Sequence, residues 1–170
     1  MTELRIGDQL IRFDRDATVG AYSQMQNGGA DRCSCSGCRN FAQLRDDVYP
    51  KEVRDLLNTL GIDAIKEAEA VHDGPVKGNL HHYGGWFYFV GEILEKGELL
   101  RNVTLSGGFD VVLLPRSESI SDFQYWCSWV FPRPPAIFGS KVAAVEFATL
   151  LPWVLEERYD PAKAAEPPER

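Results

Sequence analysis

The sequence predicts an α+β fold, with a mainly antiparallel sheet of about seven strands, sandwich-like in one arrangement. Three short helices are expected, grouped at about 36–72. Three observations carry this. Apolar residues recur at helical spacing between residues 36 and 72, strand patterning dominates from Gly84 onward, and strands there follow one another without intervening helices. Parallel strands need long crossovers, so a βαβ dinucleotide-binding arrangement is disfavoured. A chain of 170 residues suits one domain, placed here at 1–157, with 158–170 as a mobile tail.

The elements follow in order. "LIRFDRD" alternates roughly as a strand does, and "TVGAYSQM" is expected to continue as a second strand. Glycine-rich "NGGADRCSCSG" reads as a loop. A first helix is expected from Ser36 as N-cap, presenting Phe41, Leu44 and Val48. A second opens at Pro50, carries Val53, Leu56, Leu57 and Leu60 on one stripe, and ends at Gly61. A third is expected from Asp63, with Ile65, Ala68 and Val71 inward and His72 in its last turn. "WFYFVGEILE" then reads as a central strand, and "EKGE" as a hairpin loop into "LLRNVTLS". "FDVVLLP" follows as another strand. In "FQYWCSWVF", Phe123, Tyr125, Cys127, Trp129 and Phe131 share one face. "FPRPPAIFGS" is a stiff loop before a last strand, "KVAAVEFATLLPWVL", that Pro152 interrupts. The tail "DPAKAAEPPER" has nothing to bury.

Charge and composition narrow the function classes. Net charge is -7, and no basic run is present, so nucleic acid is not an expected partner. The acidity suits a basic protein partner as well as plain solubility. The apolar runs are too short to span a bilayer, and the first residues lack a basic segment ahead of an apolar core. A cytoplasmic protein with reduced thiols is the expectation.

The chemistry-bearing segment is "NGGADRCSCSGCRNF", where Cys33, Cys35 and Cys38 stand in a C-x-C-x-x-C spacing. Thiolates are strong zinc ligands, and a C-x-x-C step lets one turn supply two of them. Arg32 and Arg39 flank the cluster, and a helix N-terminus at Cys38 also favours thiolate. The expected metal set is Cys33, Cys35, Cys38 and His81, holding a structural zinc ion. His81 is chosen because by parity it faces the side of Phe87, Phe89 and Ile93, with His82, His72 and Cys127 as substitutes. Free, redox-responsive thiols and a coincidence of packing stay open as alternatives. A permanent bridge fits poorly: Cys33 to Cys35 closes a ring too tight for disulfide geometry.

Elsewhere, Cys127 reads as a small buried hydrophobe. Glu92 and Glu146 lie in apolar strands, as functional carboxylates or as solvent-side members of the alternation. The strand from His81 to Glu92 invites a pocket reading, with aromatic walls and a histidine acid or base. No phosphate loop, nucleophile elbow, zinc-protease helix or paired-carboxylate arrangement is present, so no catalytic residue is expected. The leading expectation is a protein-binding domain, immunity-like or regulatory. An enzyme and a thiol-based redox or metal sensor are the alternatives.

The strings "CSCSGCRNF", "VYP", "LGID", "KEAE", "YGGWFYFVGE" and "VEFATLLPWVLEE" together resemble a family of uncharacterised bacterial proteins. That family shares the C-x-C-x-x-C-x-N-F segment, a Y-G-G-W strand and a closing E-F…P-W-V-L-E. The likeness runs from about Cys33 to Glu157. It implies one intact domain and no particular activity, and it places the histidine before Y-G-G-W at His81 or His82.

Overall fold

The computed structural model describes residues 1–95, 101–105, 109–113, 123–129 and 134–161. Its elements run β1 (Thr2–Ile6), β2 (Gln9–Phe13), α1 (Arg15–Gln24), a 3-10 turn (Ala30–Arg32), α2 (Ser36–Val48), α3 (Lys51–Leu60), β3 (Glu69–Lys77), β4 (Leu80–Glu95), β5 (Arg101–Leu105), β6 (Phe109–Leu113), β7 (Phe123–Trp129), a second 3-10 turn (Ala136–Phe138) and β8 (Val142–Pro152). The α+β class and the antiparallel pairing are as the sequence predicts. Six strands join in the order β1-β2-β4-β8-β7 with β3 also on β4, while β5 and β6, among the described residues, form a separate two-stranded sheet.

The 16-residue strand β4 organises the sheet. Along one edge it pairs with β8 from Leu80 to Val90 without a register break. The opposite edge is shared, with β3 taking the first part and β2 the last. The Gly84-Gly85 pair causes no bulge against β8. Gly85 is instead a close approach: a Cβ there would lie 2.5 Å from the Glu69 carbonyl oxygen and 2.6 Å from the Phe147 ring.

One face of the sheet carries Tyr83, Phe87, Phe89, Val145, Phe147, Phe123 and Cys127, all buried. Helix α2 lays Phe41 against Tyr83 and Phe147, and Tyr49 just beyond it meets Phe87, Phe123 and Phe147 edge-on. Helix α3 buries Val53, Leu57 and Leu60. It ends at Gly61, whose φ of 79° accommodates the terminating turn. At the other end of the molecule's first hairpin, Thr18 ties α1 to β4: its hydroxyl accepts from the Val90 amide at 3.0 Å and donates to the Asp14 carbonyl at 2.8 Å.

Four expectations need correction. "TVGAYSQM" is helical, because Asp14 caps α1 by accepting from the Ala17 amide at 3.0 Å, and Thr18, Ala21 and Tyr22 form a buried helical stripe. The stretch 63–72 is not a helix but a turn leading into β3, so the helices lie at 15–24 and 36–60 instead. Two members of its supposed apolar stripe, Ile65 and Val71, are 52% and 40% exposed. The Gly74-Pro75 pair is absorbed at bulges in the β3–β4 register. Helix α2 is capped by Cys35 rather than Ser36. Finally, the first residues form strand β1, which the sequence did not suggest. The expected "EKGE" loop and most of the tail lie outside the described residues. Tyr159, within the stretch assigned to the tail, packs against Trp153, His72 and His81.

Candidate metal centre

Cys33 follows the 3-10 turn, Cys35 caps α2, and Cys38 sits in its first turn. Their three Sγ atoms all lie within 4.8 Å of one another. The loop that carries them is anchored on a buried carboxylate. Glu67, 0% exposed, accepts from the Ala30 amide at 2.9 Å and from Arg45 Nη2 at 2.8 Å, while its carbonyl accepts from the Gly29 amide at 2.7 Å. Gly28 packs against the same carboxylate, where a Cβ would fall 2.7 Å from Oε1. Arg45 also reaches Asp31 at 3.0 Å, and Arg32 donates to the Ala68 carbonyl at 2.9 Å. The loop is thus sewn to the start of β3 by charged hydrogen bonds.

The thiols differ in character. Burial pushes Cys35 up, but the Cys38 amide, the neighbouring Cys33 and Cys38 thiols and the Gly37 amide outweigh it and hold Cys35 below its ordinary value. The Cys38 amide donates to Cys35 Sγ at 3.4 Å, so the capping atom is the sulfur itself. Cys38 goes the other way: burial and its hydrogen bonds to the two companions push it well up. Its thiol donates to the Ala70 carbonyl at 3.8 Å. Three sulfurs that share hydrogen bonds form a cluster in which a cation can replace shared protons.

Next to the cysteines lies a histidine pair. His72 Nε2 and His81 Nδ1 are 2.8 Å apart, with rings stacked at 5.0 Å. Tyr83, Trp153 and Tyr159 surround them. Burial, and then each other's proximity, hold His72 down to about 4, and burial lowers His81 too, so both rings are neutral at pH 7. His81 faces the core, as parity predicts, and is 4% exposed. Among the described residues, however, the ligand atoms that meet are the three sulfurs. Neither histidine joins that group. His72 is the member that touches the cysteine turn: a Cβ on Gly37 would fall 2.7 Å from its Cβ and 2.9 Å from its Nδ1.

The remaining sequence candidates fall elsewhere. His82 pairs with Asp73 at 2.7 Å on the surface. Glu92 is an ion-paired surface carboxylate, 3.5 Å from Arg12 and 3.4 Å from Lys141. Cys127 is buried, its thiol pushed up to about 12 by burial and then by Glu146. A pocket of about 290 Å³ opens between Arg15, Tyr22, Gly61 and Lys66, and no residue of the His81–Glu92 strand lines it.

Two supporting residues escaped sequence reading. Glu67 carried no signal beyond its charge. Asn40 did carry one, because asparagine is a poor residue for a helix interior unless its side chain has partners. Its Nδ2 donates to Tyr83 Oη at 3.1 Å and to the Pro152 carbonyl at 3.0 Å, while Oδ1 accepts from the Val154 amide at 2.8 Å. Tyr83 Oη in turn donates to the Gly37 carbonyl at 3.1 Å. This chain of bonds fixes the C-x-x-C turn to both β4 and the segment after β8.

No known family, curated protein or solved structure matches the chain. No helix among the described residues is long and apolar enough to cross a membrane.

Proposed function

We propose that Cys33, Cys35 and Cys38 bind one thiophilic metal ion, zinc, in a structural role, and that the domain works by binding another protein, a basic one. The observation that carries the metal reading is the convergence of three sulfurs within 4.8 Å on a firmly anchored loop. A tetrahedral site needs a fourth ligand. The histidine pair is the source we favour, either His81 turning away from its partner or His72 from its place against Gly37. The metal polarises no substrate in this reading; it ties the 27–38 segment to α2 and β3. The protein-binding half rests on the net charge of -7 and the lack of a recognisable catalytic constellation in the sequence.

The test is elemental mass spectrometry of untagged protein purified without chelator, together with a count of reactive thiols. About one zinc per chain, with thiols shielded until chelator is added, is the expected result. Separate H72A and H81A variants then identify the fourth ligand by which one loses metal. Metal-free protein with three fast-reacting thiols refutes the reading. It would favour a redox role instead, for which the Cys35 thiol, held below its ordinary value beside two others, is the motivating observation. A pull-down with the immobilised domain that recovers no basic protein above background would remove the partner half.

A further inference from the structure

The sheet's second face, opposite the α2 core, carries an ordered row of side chains that the metal reading does not use. Directly paired residues on neighbouring antiparallel strands share a face. Glu69 on β3 pairs with Trp86 on β4, Trp86 with Glu146 on β8, and Glu146 with Trp126 on β7. Carboxylate and indole therefore alternate across four strands. Adjacent strands lie about 4.8 Å apart, so the two indoles arise about 10 Å apart with Glu146 between them. All four residues are partly buried and keep some contact with solvent.

Beside this row Gly84 pairs with Ala148, two small residues flanked by Val71 on β3 and Gln124 on β7. A Cβ at Gly84 would meet nothing nearer than the Phe147 carbonyl oxygen at 3.6 Å. The tryptophans and Glu146 thus border a shallow trough. Among the described residues, neither Glu69 nor Glu146 forms an ion pair with a Lys or Arg, and neither indole packs against another aromatic ring. Burial pushes both carboxyls up, with Arg32 partly opposing this at Glu69 and the Ser128 hydroxyl at Glu146. Glu146, half-desolvated and with no cation beside it among the described residues, is costly to keep charged. Carboxylates and indole π faces both present negative potential. What complements them is a cation with an apolar skin, which surrenders its own hydration cheaply.

We propose that Glu69, Trp86, Glu146 and Trp126 form a binding site for an alkylated ammonium group, with Glu146 as its counter-charge and the two indoles as its walls. The group can belong to a small molecule or to a methylated lysine side chain of a protein.

Isothermal calorimetry on the full chain tests this with four probes. They are choline, its uncharged analogue in which tert-butyl replaces trimethylammonium, and a trimethyl-lysine peptide beside its unmodified form. Choline or the methylated peptide should bind, with the uncharged analogue at least roughly tenfold weaker. Choline alone assigns a small ligand; the peptide alone assigns a protein tail. E146Q should weaken binding by roughly tenfold without lowering the unfolding midpoint. If E146Q does not fold, indole N–H chemical shifts of the natural sequence decide: choline must move those of Trp86 and Trp126. The proposal is overturned if neither cation binds, if the uncharged analogue binds equally well, or if the shifts move elsewhere.

Discussion

Replacing Glu67 probes how the cysteine loop is held. The carboxylate is fully buried, and its partner Arg45 is only 12% exposed. Breaking a buried pair by removing one member costs about 3–5 kcal/mol, because the other charge stays buried. Here Asp31, 34% exposed and 3.0 Å from Arg45, keeps part of the compensation. Losing the acceptor for the Ala30 amide adds about 1–3 kcal/mol. E67A should therefore cost about 4 kcal/mol. E67Q retains an acceptor of the same shape and removes only the charge, so about 2 kcal/mol is expected. Urea unfolding followed by far-UV dichroism measures both, as a fall in midpoint at constant m. The ordering matters as much as the size. A cost within about 0.5 kcal/mol for E67A would show the carboxylate to be no anchor, since that is the range of ordinary surface changes. Equal costs for the two variants would mean that charge, and not the shape of the acceptor, holds the loop.

Three further outcomes follow from the geometry. N40A strands the Val154 amide and the Pro152 carbonyl and should cost about 3 kcal/mol; N40D, which keeps the Oδ1 acceptor but loses the donor, should fall between it and the natural protein in the same urea titration. G85A forces a methyl group against the Glu69 carbonyl and the Phe147 ring and should lower the melting temperature by several degrees, about 2 kcal/mol; an unchanged melting curve would contradict the tight β3–β4–β8 contact. The third concerns acid. His72 has its folded value held at about 4 against an ordinary 6.5, so the unfolded chain takes up the proton first. Its contribution is present above pH 6.5 and is lost as pH falls from 6.5 towards 4, amounting to about 2 kcal/mol after allowing for the ring's partial contact with water. H72F should flatten that part of the stability profile, and a profile that keeps its slope would refute the assignment.

How much of this was legible beforehand depended on whether one segment's own pattern decided its state. Helix α3 was readable because Val53, Leu57 and Leu60 repeat cleanly and Gly61 closes the turn. Strand β7 was readable because Phe123, Tyr125 and Cys127 alternate with exposed or partly exposed neighbours. The stretch 63–72 was misread because Ile65, Ala68 and Val71 fit a helical stripe equally well on paper. What decides it is the partner strand, through Gly84, Gly85 and Trp86. Helix α1 failed for a related reason: its buried residues Thr18, Ala21 and Tyr22 are too few and too mixed to stand out, and its capping Asp14 was counted as part of a strand. At the cysteine cluster, local spacing sufficed, since a C-x-x-C turn needs few distant residues to bring sulfurs together. Its supports did not show, because Glu67, Asn40 and the His72–His81 pair act across 22 to 114 positions of sequence or through a hairpin register.

The span of those contacts bears on how the chain is made. Strand β4 waits for β8 along its whole first part, and α2 rests on Phe147, Pro152 and Val154. A chain built from its first residue onward must therefore carry the three thiols, already spelled out by residue 38, through the addition of more than 100 further residues before their support is complete. During that interval the loop has Arg45, Glu67 and Ala68 to hold it, while Asn40 and Phe41 still lack their partners on and beyond β8. Closing such distant contacts is slow in general, and it leaves unpaired strand edges open to other chains. The cysteine loop is thus anchored early on one side, through Glu67, and completed on the other only once β8 is in place.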